Sequence, residues 1–171
     1  MAQAERQYTF GVLTLSDKGS RGERQDTSGV FLCELFERQG YVRKAYEIIP
    51  DRQELITHHL KQWADERAID LILTTGGTGM APTDVTPEAT MEVIQRPVPG
   101  IAEAMRFASL QKTPNAVLSR GVAGIRGSSL IINLPGSLKA ARENIEAVLP
   151  ALQHALYKLK GGTEDCGAPE R

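Results

Sequence analysis

The chain has 171 residues, enough for one domain with a full hydrophobic core and short for two. Its 20 lysines and arginines against 21 acidic residues give a net charge of −1, so no strong field points to nucleic acid or a membrane surface as a partner. No apolar run approaches the ~18 residues of a membrane span, and residues 1–7 contain no apolar stretch of the kind a secretory leader carries. The two cysteines, Cys33 and Cys166, are far apart and neither has metal-ligand spacing; a reducing cytoplasm is expected, with Cys33 an ordinary core residue.

Tyr8–Leu15 is a mostly apolar run of strand length, followed by a polar loop from Ser16 to Asp26. Thr27 or Ser28 is suited to cap a helix that runs to about Gln39 and stops at Gly40. Tyr41–Ile49 reads as a second strand with weaker alternation. Asp51-Arg52-Gln53-Glu54 then has the form of a capping box, an acceptor followed three residues on by a glutamate. The helix behind it carries Leu55, Ile56, Leu60, Trp63 and Ala64, close to the spacing of one core-facing stripe. Asp70–Thr75 reads as a third strand and runs into Gly76-Gly77-Thr78-Gly79. Thr86 is the expected cap of the next helix, with Pro87 at its first position, where a missing N–H costs nothing. Pro97 and Pro99 interrupt the chain before a helix over Gly100–Gln111. Val122–Arg126 and Leu130–Leu134, joined by Gly127-Ser128, form either a hairpin or a strand with a preceding turn. Ser137 is suited to cap a long last helix through Leu159, which Pro150 is expected to kink or split. Strands alternating with helices predict a single α/β domain over residues 8–160 with a mainly parallel sheet. Residues 1–7 and 161–171 are expected to be flexible termini.

Four polar clusters follow four of these strands. They are Ser16-Asp17 with Ser20, Gly22 and Asp26; Pro50-Asp51; the Thr75–Gly79 loop with Asp84; and Asn133-Leu134-Pro135-Gly136-Ser137. In a parallel sheet all strand C-termini lie on one edge, where ligands bind, so clusters scattered in sequence converge in space. Glycine has no Cβ to hold a ligand off, so the glycine loop offers backbone N–H groups to a phosphate. A carboxylate five residues later is costly beside a bare phosphate, but fits if a divalent cation sits between them. Each cluster alone has a plainer reading. Asp51 with Glu54 reads first as a helix cap, Asp17 and Asp26 as loop formers, and Ser119-Arg120 as a surface turn, although an arginine beside a serine also suits a phosphate. His58, His59 and His154 show no metal spacing and read as structural.

A P-loop is missing, because Gly79 is followed by Met80 and Ala81, and the dinucleotide G-x-G-x-x-G is broken at Pro82. No Gly-x-Ser-x-Gly elbow occurs, which argues against an α/β-hydrolase. The long run Thr74-Thr75-Gly76-Gly77-Thr78-Gly79, continued by Asp84-Val85-Thr86-Pro87-Glu88-Ala89-Thr90, resembles the MogA/MoaB-like molybdopterin adenylyltransferases of molybdenum cofactor biosynthesis. The similarity continues through Leu15-Ser16-Asp17, Ile49-Pro50-Asp51, Pro99-Gly100, Leu118-Ser119-Arg120 and Asn133-Leu134-Pro135-Gly136, from about Phe10 to Leu159.

The resemblance implies a three-layer α/β/α fold that assembles as a homotrimer in the cytoplasm. The implied reaction joins molybdopterin and Mg-ATP to give adenylylated molybdopterin and pyrophosphate, with possible hand-over to a molybdenum-insertion protein. It makes Asp51 and Asp84 the catalytic aspartates and candidate Mg²⁺ ligands, Gly76, Gly77, Thr78 and Gly79 the phosphate-binding loop, and Thr75 before it a substrate-binding residue. Ser16, Asp17, Ser119, Asn133, Pro135, Gly136 and Ser137 match segments that line the same pocket. Lys18, Arg21, Arg120 and Lys139 are the cations expected to supply further positive charge. Two other readings stay open: a pterin-binding protein of this fold without catalysis, and a nucleotide pyrophosphatase relative.

Overall fold

The computed structural model describes residues 7–163; Cys166 and nearly all of both expected flexible termini lie outside them. Its strands are β1 (Thr9–Leu15), β2 (Val42–Ile49), β3 (Leu71–Thr75), β4 (Arg96–Pro97), β5 (Ala123–Arg126) and β6 (Ser129–Leu134), in the spatial order β2-β1-β3-β6-β5-β4. The first four of that order are parallel, whereas β5 runs antiparallel to β6 and β4 antiparallel to β5. The hairpin expected around Gly127-Ser128 therefore forms, and it lies at the far side of an otherwise parallel sheet.

The central strands are apolar on both faces because both faces are covered. Phe10 and Val12 of β1, Leu71 and Leu73 of β3, and Leu130 and Ile132 of β6 enter one core. That core is closed by α2 (Thr27–Arg38), α5 (Pro99–Leu110) and α6 (Leu138–Leu159). Leu13, Leu15, Ile72 and Ile131 point the other way, onto α3 (Gln53–Lys61) and α4 (Thr86–Val93). Each fully buried leucine or isoleucine side chain contributes about 1.5–3 kcal/mol. This gives three layers. No helix among the described residues is long and apolar enough to cross a membrane.

Several expected helix starts are displaced, each by a competing long-range bond. The cap of α2 is Asp26, not Thr27 or Ser28: its Oδ1 accepts from Gly29 N at 2.8 Å, while Ser28 Oγ donates to Gly136 O at 2.7 Å. Asp51 does not cap α3. Arg52 occupies that position without a side-chain bond, and the Asp51 carboxylate is taken up by Asp17. Thr86 does not cap α4 either; Val85 precedes the helix, and the Thr86 hydroxyl donates to Gly76 O at 2.9 Å. The polar loop after β1 contains a short helix, α1 (Asp17–Ser20), capped by Ser16 Oγ. Beyond α3 the chain continues in a π-helical turn, Gln62–Glu66, that buries Trp63. A 3-10 turn, Pro114–Leu118, precedes Ser119. Pro150 does not split α6, which stays a single helix through Leu159. Pro150 and Glu146 are both exposed, so water can solvate the carbonyl that loses its partner.

Among the expected structural residues, Cys33 is buried and unpaired. His59 bonds Leu55 O through Nδ1 and approaches Glu47 through Nε2, with His58 packed edge-on against it. At the opposite end of the sheet from the strand C-termini, Asp70 pairs with Lys160 and accepts from Thr9 N at 2.8 Å, fastening the end of α6 to the entry of β3.

Candidate functional site

From β1 the chain crosses to β2 through α2 on one face of the sheet, whereas β3 leads into α4 on the other. The two adjacent strands diverge at their C-termini, and an open crevice at such a point is the usual ligand site of parallel α/β sheets. Here it is a cleft of about 550 Å³, lined by Ser16, Asp51, Thr75–Gly79, Asp84 and Pro135–Ser137, among others.

The glycine loop forms its floor. Gly76 N donates to Leu134 O at 3.1 Å, and Thr86 N and Oγ1 bond Gly77 O and Gly76 O, so the loop is stitched to β6 and α4. Gly76 and Gly77 have φ of 107° and 64°, and a Cβ on Gly77 would lie 3.0 Å from Asp51 Oδ1 and closer still to Thr86 Oγ1. Only glycine fits there. The N–H groups of Gly77, Thr78 and Gly79 make no hydrogen bond among the described residues, so three adjacent amides remain for a ligand.

Two carboxylates flank the loop. Asp51 is bound reciprocally to Asp17: Asp51 Oδ2 accepts from Asp17 N, and Asp17 Oδ1 accepts from Asp51 N, both at 3.1 Å. This fixes one Asp51 oxygen and leaves Oδ1 toward Gly77. Burial, and then the charges of Asp17 and Asp84, push the Asp51 carboxyl above its usual range, partly offset by the Asp17 amide. Asp84 Oδ2 accepts from Ala81 N at 2.9 Å and lies 2.8 Å from where a Gly79 Cβ would be. Among the described residues no group of three or more histidine, cysteine or acidic side chains is arranged to hold a metal. Asp51 and Asp84 nonetheless suit Mg²⁺, which is commonly bound by one or two carboxylates with waters and substrate phosphates completing its shell.

The other residues singled out in the sequence divide into three groups. Ser16, Thr75, Pro135, Gly136 and Ser137 line the cleft; Thr75 Oγ1 donates to Pro135 O at 2.7 Å, and Ser137 caps α6. Asp17 holds Asp51 without lining the cleft, and Ser119 lies in a neighbouring recess of about 280 Å³ that shares Thr78, Gly79 and Pro135 with it. Asn133 lines neither. At 1 % exposure it donates to Thr74 and Thr90 and accepts from Val122 N.

The expected cations are placed differently. Arg120 Nε donates to Gly79 O at 2.7 Å and its Nη2 to Asp84 O at 2.5 Å, while Nη1 pairs with Glu88, so its charge is spent holding the loop. Arg21 is paired with Glu23, and neither Lys18 nor Lys139 lines the cleft. Arg24 does line it, with Gln25, Asp26, Thr27 and Ser28. The sequence reading missed Arg24; its one signal was its place two residues before Asp26 within a polar cluster.

A parallel α/β sheet whose switch point presents free glycine amides beside two carboxylates is the architecture of a ligand-binding α/β domain with an anion-accepting loop. Comparison with known proteins narrows this class. The family model described as "probable molybdopterin binding domain" matches residues 11–154, and the chain belongs to that family. It is 46% identical over 154 residues to the molybdopterin adenylyltransferase of Helicobacter pylori, covering 89% of this chain and 88% of that one. It is 43% identical over 144 residues to the Escherichia coli protein of the same name, covering 83% and 74%. Among solved structures it is similar to the molybdopterin biosynthesis enzyme MoaB of Thermus thermophilus, with a TM-score of 0.85 and 56% identity over 90% of this chain and 97% of that one.

Proposed function

We propose that the chain is a molybdopterin adenylyltransferase: it transfers AMP from Mg-ATP to the terminal phosphate of molybdopterin and releases pyrophosphate. The observation that carries this reading is the meeting of Asp51 and Asp84 with the free amides of Gly77–Gly79 in one cleft. The names of the relatives that align over most of the chain support the same reaction.

In this transfer an oxygen of the acceptor phosphate forms a bond to the α-phosphorus, the α–β bridging P–O bond breaks, and its electron pair leaves with pyrophosphate. The acceptor is already an anion, so no strong general base is needed; alignment and charge neutralisation are the tasks left to the protein. The amides of Gly77, Thr78 and Gly79 bind phosphate oxygens along fixed directions, because the loop behind them is bonded to β6 and α4. Asp51 and Asp84 are the residues that would hold Mg²⁺; the Asp17 and Ala81 amides hold their carboxylates, and Arg120 holds the Asp84 main-chain carbonyl. When bound, the cation supplies positive charge at the phosphate oxygens. Burial of Asp51 keeps the ligand's charge poorly screened, which strengthens the attraction between the site and the cation.

As the resemblance implies, the active form is proposed to be a homotrimer. Its product is proposed to pass to a metal-inserting protein. The chain aligns with 25% of the Drosophila melanogaster molybdenum cofactor synthesis protein cinnamon, which leaves that polypeptide room for a further step.

Pyrophosphate release from Mg-ATP with molybdopterin supplied tests the reaction. Wild-type protein should release it, and Asp84→Asn or Asp51→Asn should lower kcat by about 100-fold or more while pterin binding persists. Pterin binding without pyrophosphate release in the wild type would instead establish a non-catalytic binding protein. Pyrophosphatase activity on ADP-ribose without pterin would establish the third reading.

A further inference from the structure

The cleft's charge does not balance with the residues assigned so far. Three carboxylates line it, Asp26, Asp51 and Asp84, against one cationic side chain, Arg24. Asp26 is internally satisfied: Oδ2 accepts from Thr14 Oγ1 at 2.6 Å and from Tyr46 Oη at 2.8 Å, and Oδ1 caps α2. Burial and the Asp26 carboxylate push the Tyr46 hydroxyl up, so Tyr46 keeps its proton and remains a donor. Asp51 and Asp84 both lead into helices on one face of the sheet, α3 and α4. Arg24 sits on the loop that enters α2, on the other face. The two aspartates that would hold a cation thus lie on one side of the switch point, and Arg24 is the cationic side chain on the other.

Arg24 is also free to act. Its guanidinium makes no ion pair or hydrogen bond among the described residues, and it is exposed. The loop behind it is anchored at both ends, at Ser16 by the cap of α1 and at Asp26 by the three bonds just described, with Gly22 at φ 73° between them. Ser28, two residues past Asp26, is tied to Gly136 O, which fixes this wall against the segment that enters α6. A planar guanidinium on a short tethered loop suits two oxygens of one terminal phosphate, a geometry that lysine cannot reproduce.

We propose that Arg24 is a phosphate-binding residue of the cleft. It closes from the α2 side onto a terminal phosphate, either the acceptor's or that of the departing pyrophosphate. The inference rests on the adenylyl-transfer reading, and its test separates the two. Arg24→Gln, Arg24→Lys and, as a control on the same loop, Arg21→Gln are assayed for adenylylation with ATP and molybdopterin varied independently. Inorganic pyrophosphate and inorganic phosphate are each titrated calorimetrically in the presence of Mg²⁺. Arg24→Gln is expected to lower kcat/KM about 10- to 100-fold, to weaken binding of the matching anion by a similar factor, and to leave the melting temperature unchanged. Lysine should restore part of the loss, and Arg21→Gln should match the wild type within about twofold. A rise confined to the KM for ATP, with weaker pyrophosphate binding, assigns the contact to the nucleotide. A rise confined to the KM for molybdopterin assigns it to the acceptor. Arg24→Gln indistinguishable from wild type in both kinetics and anion binding overturns the inference and leaves the reaction intact. A wild-type protein that does not adenylylate refutes the reaction, and the anion titrations then decide on Arg24 alone.

Discussion

Asn133 lies on a segment expected from the sequence to touch substrate, yet its side chain faces inward, and Asn133→Ala separates the two roles. At 1 % exposure its Nδ2 donates to Thr74 Oγ1 at 3.0 Å and to Thr90 Oγ1 at 2.9 Å, and its Oδ1 accepts from Val122 N at 3.2 Å. The amide thereby joins β3, α4, β6 and the approach to β5. Truncation deletes three hydrogen bonds, each worth about 0.5–1.5 kcal/mol net, and leaves the Val122 amide without its partner at a further cost of about 1–3 kcal/mol. The expected loss is about 3–5 kcal/mol, because the shortened side chain also opens a small cavity. In a domain of this size that lowers the melting temperature by about 10 °C. Because Asn133 lines neither the cleft nor the recess, the protein that stays folded should keep its KM for ATP and for molybdopterin within about threefold. Chemical denaturation and steady-state kinetics on the same preparation measure both quantities. A variant of wild-type stability with a KM raised tenfold would refute the positioning role and return Asn133 to the substrate.

Arg120→Ala removes the clamp on Gly79 O and Asp84 O together with the Glu88 pair; it should cost only about 1–2 kcal/mol of stability, since the site is a third exposed, while raising the Mg²⁺ concentration needed for half-maximal rate about tenfold. Arg120→Lys should not rescue it, because one ammonium on a flexible stem cannot match the planar fork; full rescue by lysine would show that charge alone matters. Burial by itself would raise the Asp70 carboxyl, but the Lys160 ammonium and the Thr9 amide and hydroxyl outweigh it and hold the group below its usual range. A depressed folded pKa means that this pair's stabilisation is complete above the unfolded value of about 3.9 and is lost as pH falls through the folded one. Asp70→Asn should therefore cost about 3 kcal/mol at pH 7 and flatten the acid limb of stability against pH; parallel wild-type and mutant curves between pH 7 and pH 3 would contradict the assignment.

Much of the fold is legible because its central strands are buried on both faces. Phe10 to Leu15, Leu71 to Leu73 and Leu130 to Leu134 are near-continuous apolar runs, and a polar cluster follows each one. What stayed hidden has no local pattern to show. The two-residue strand Arg96–Pro97 is too short for any periodicity and exists only because β5 offers it an edge. The continuity of α6 past Pro150 depends on which helix face meets water, a fact of packing and not of composition.

The three misplaced caps show where local reasoning fails at the site itself. Asp51 with Glu54, Thr86 before Pro87 and Ser28 beside Thr27 each satisfy the local rule for a helix start, and each spends its side chain elsewhere. Asp51 binds the amide of Asp17, Thr86 the carbonyl of Gly76, and Ser28 the carbonyl of Gly136, partners that are 34, 10 and 108 residues away. All three bonds converge on the segments that line one cleft. Residues able to cap a helix are short and polar, and such residues equally suit the task of holding a glycine loop and its carboxylates in place. At this sheet edge the long-range bonds are wholly or partly enclosed by the protein, whereas the uncapped start of α3 carries the exposed residues Arg52 and Glu54, where water can reach the free amides. The start of α4 is satisfied in another way: Thr86 N donates to Gly77 O, and Pro87 has no N–H to satisfy.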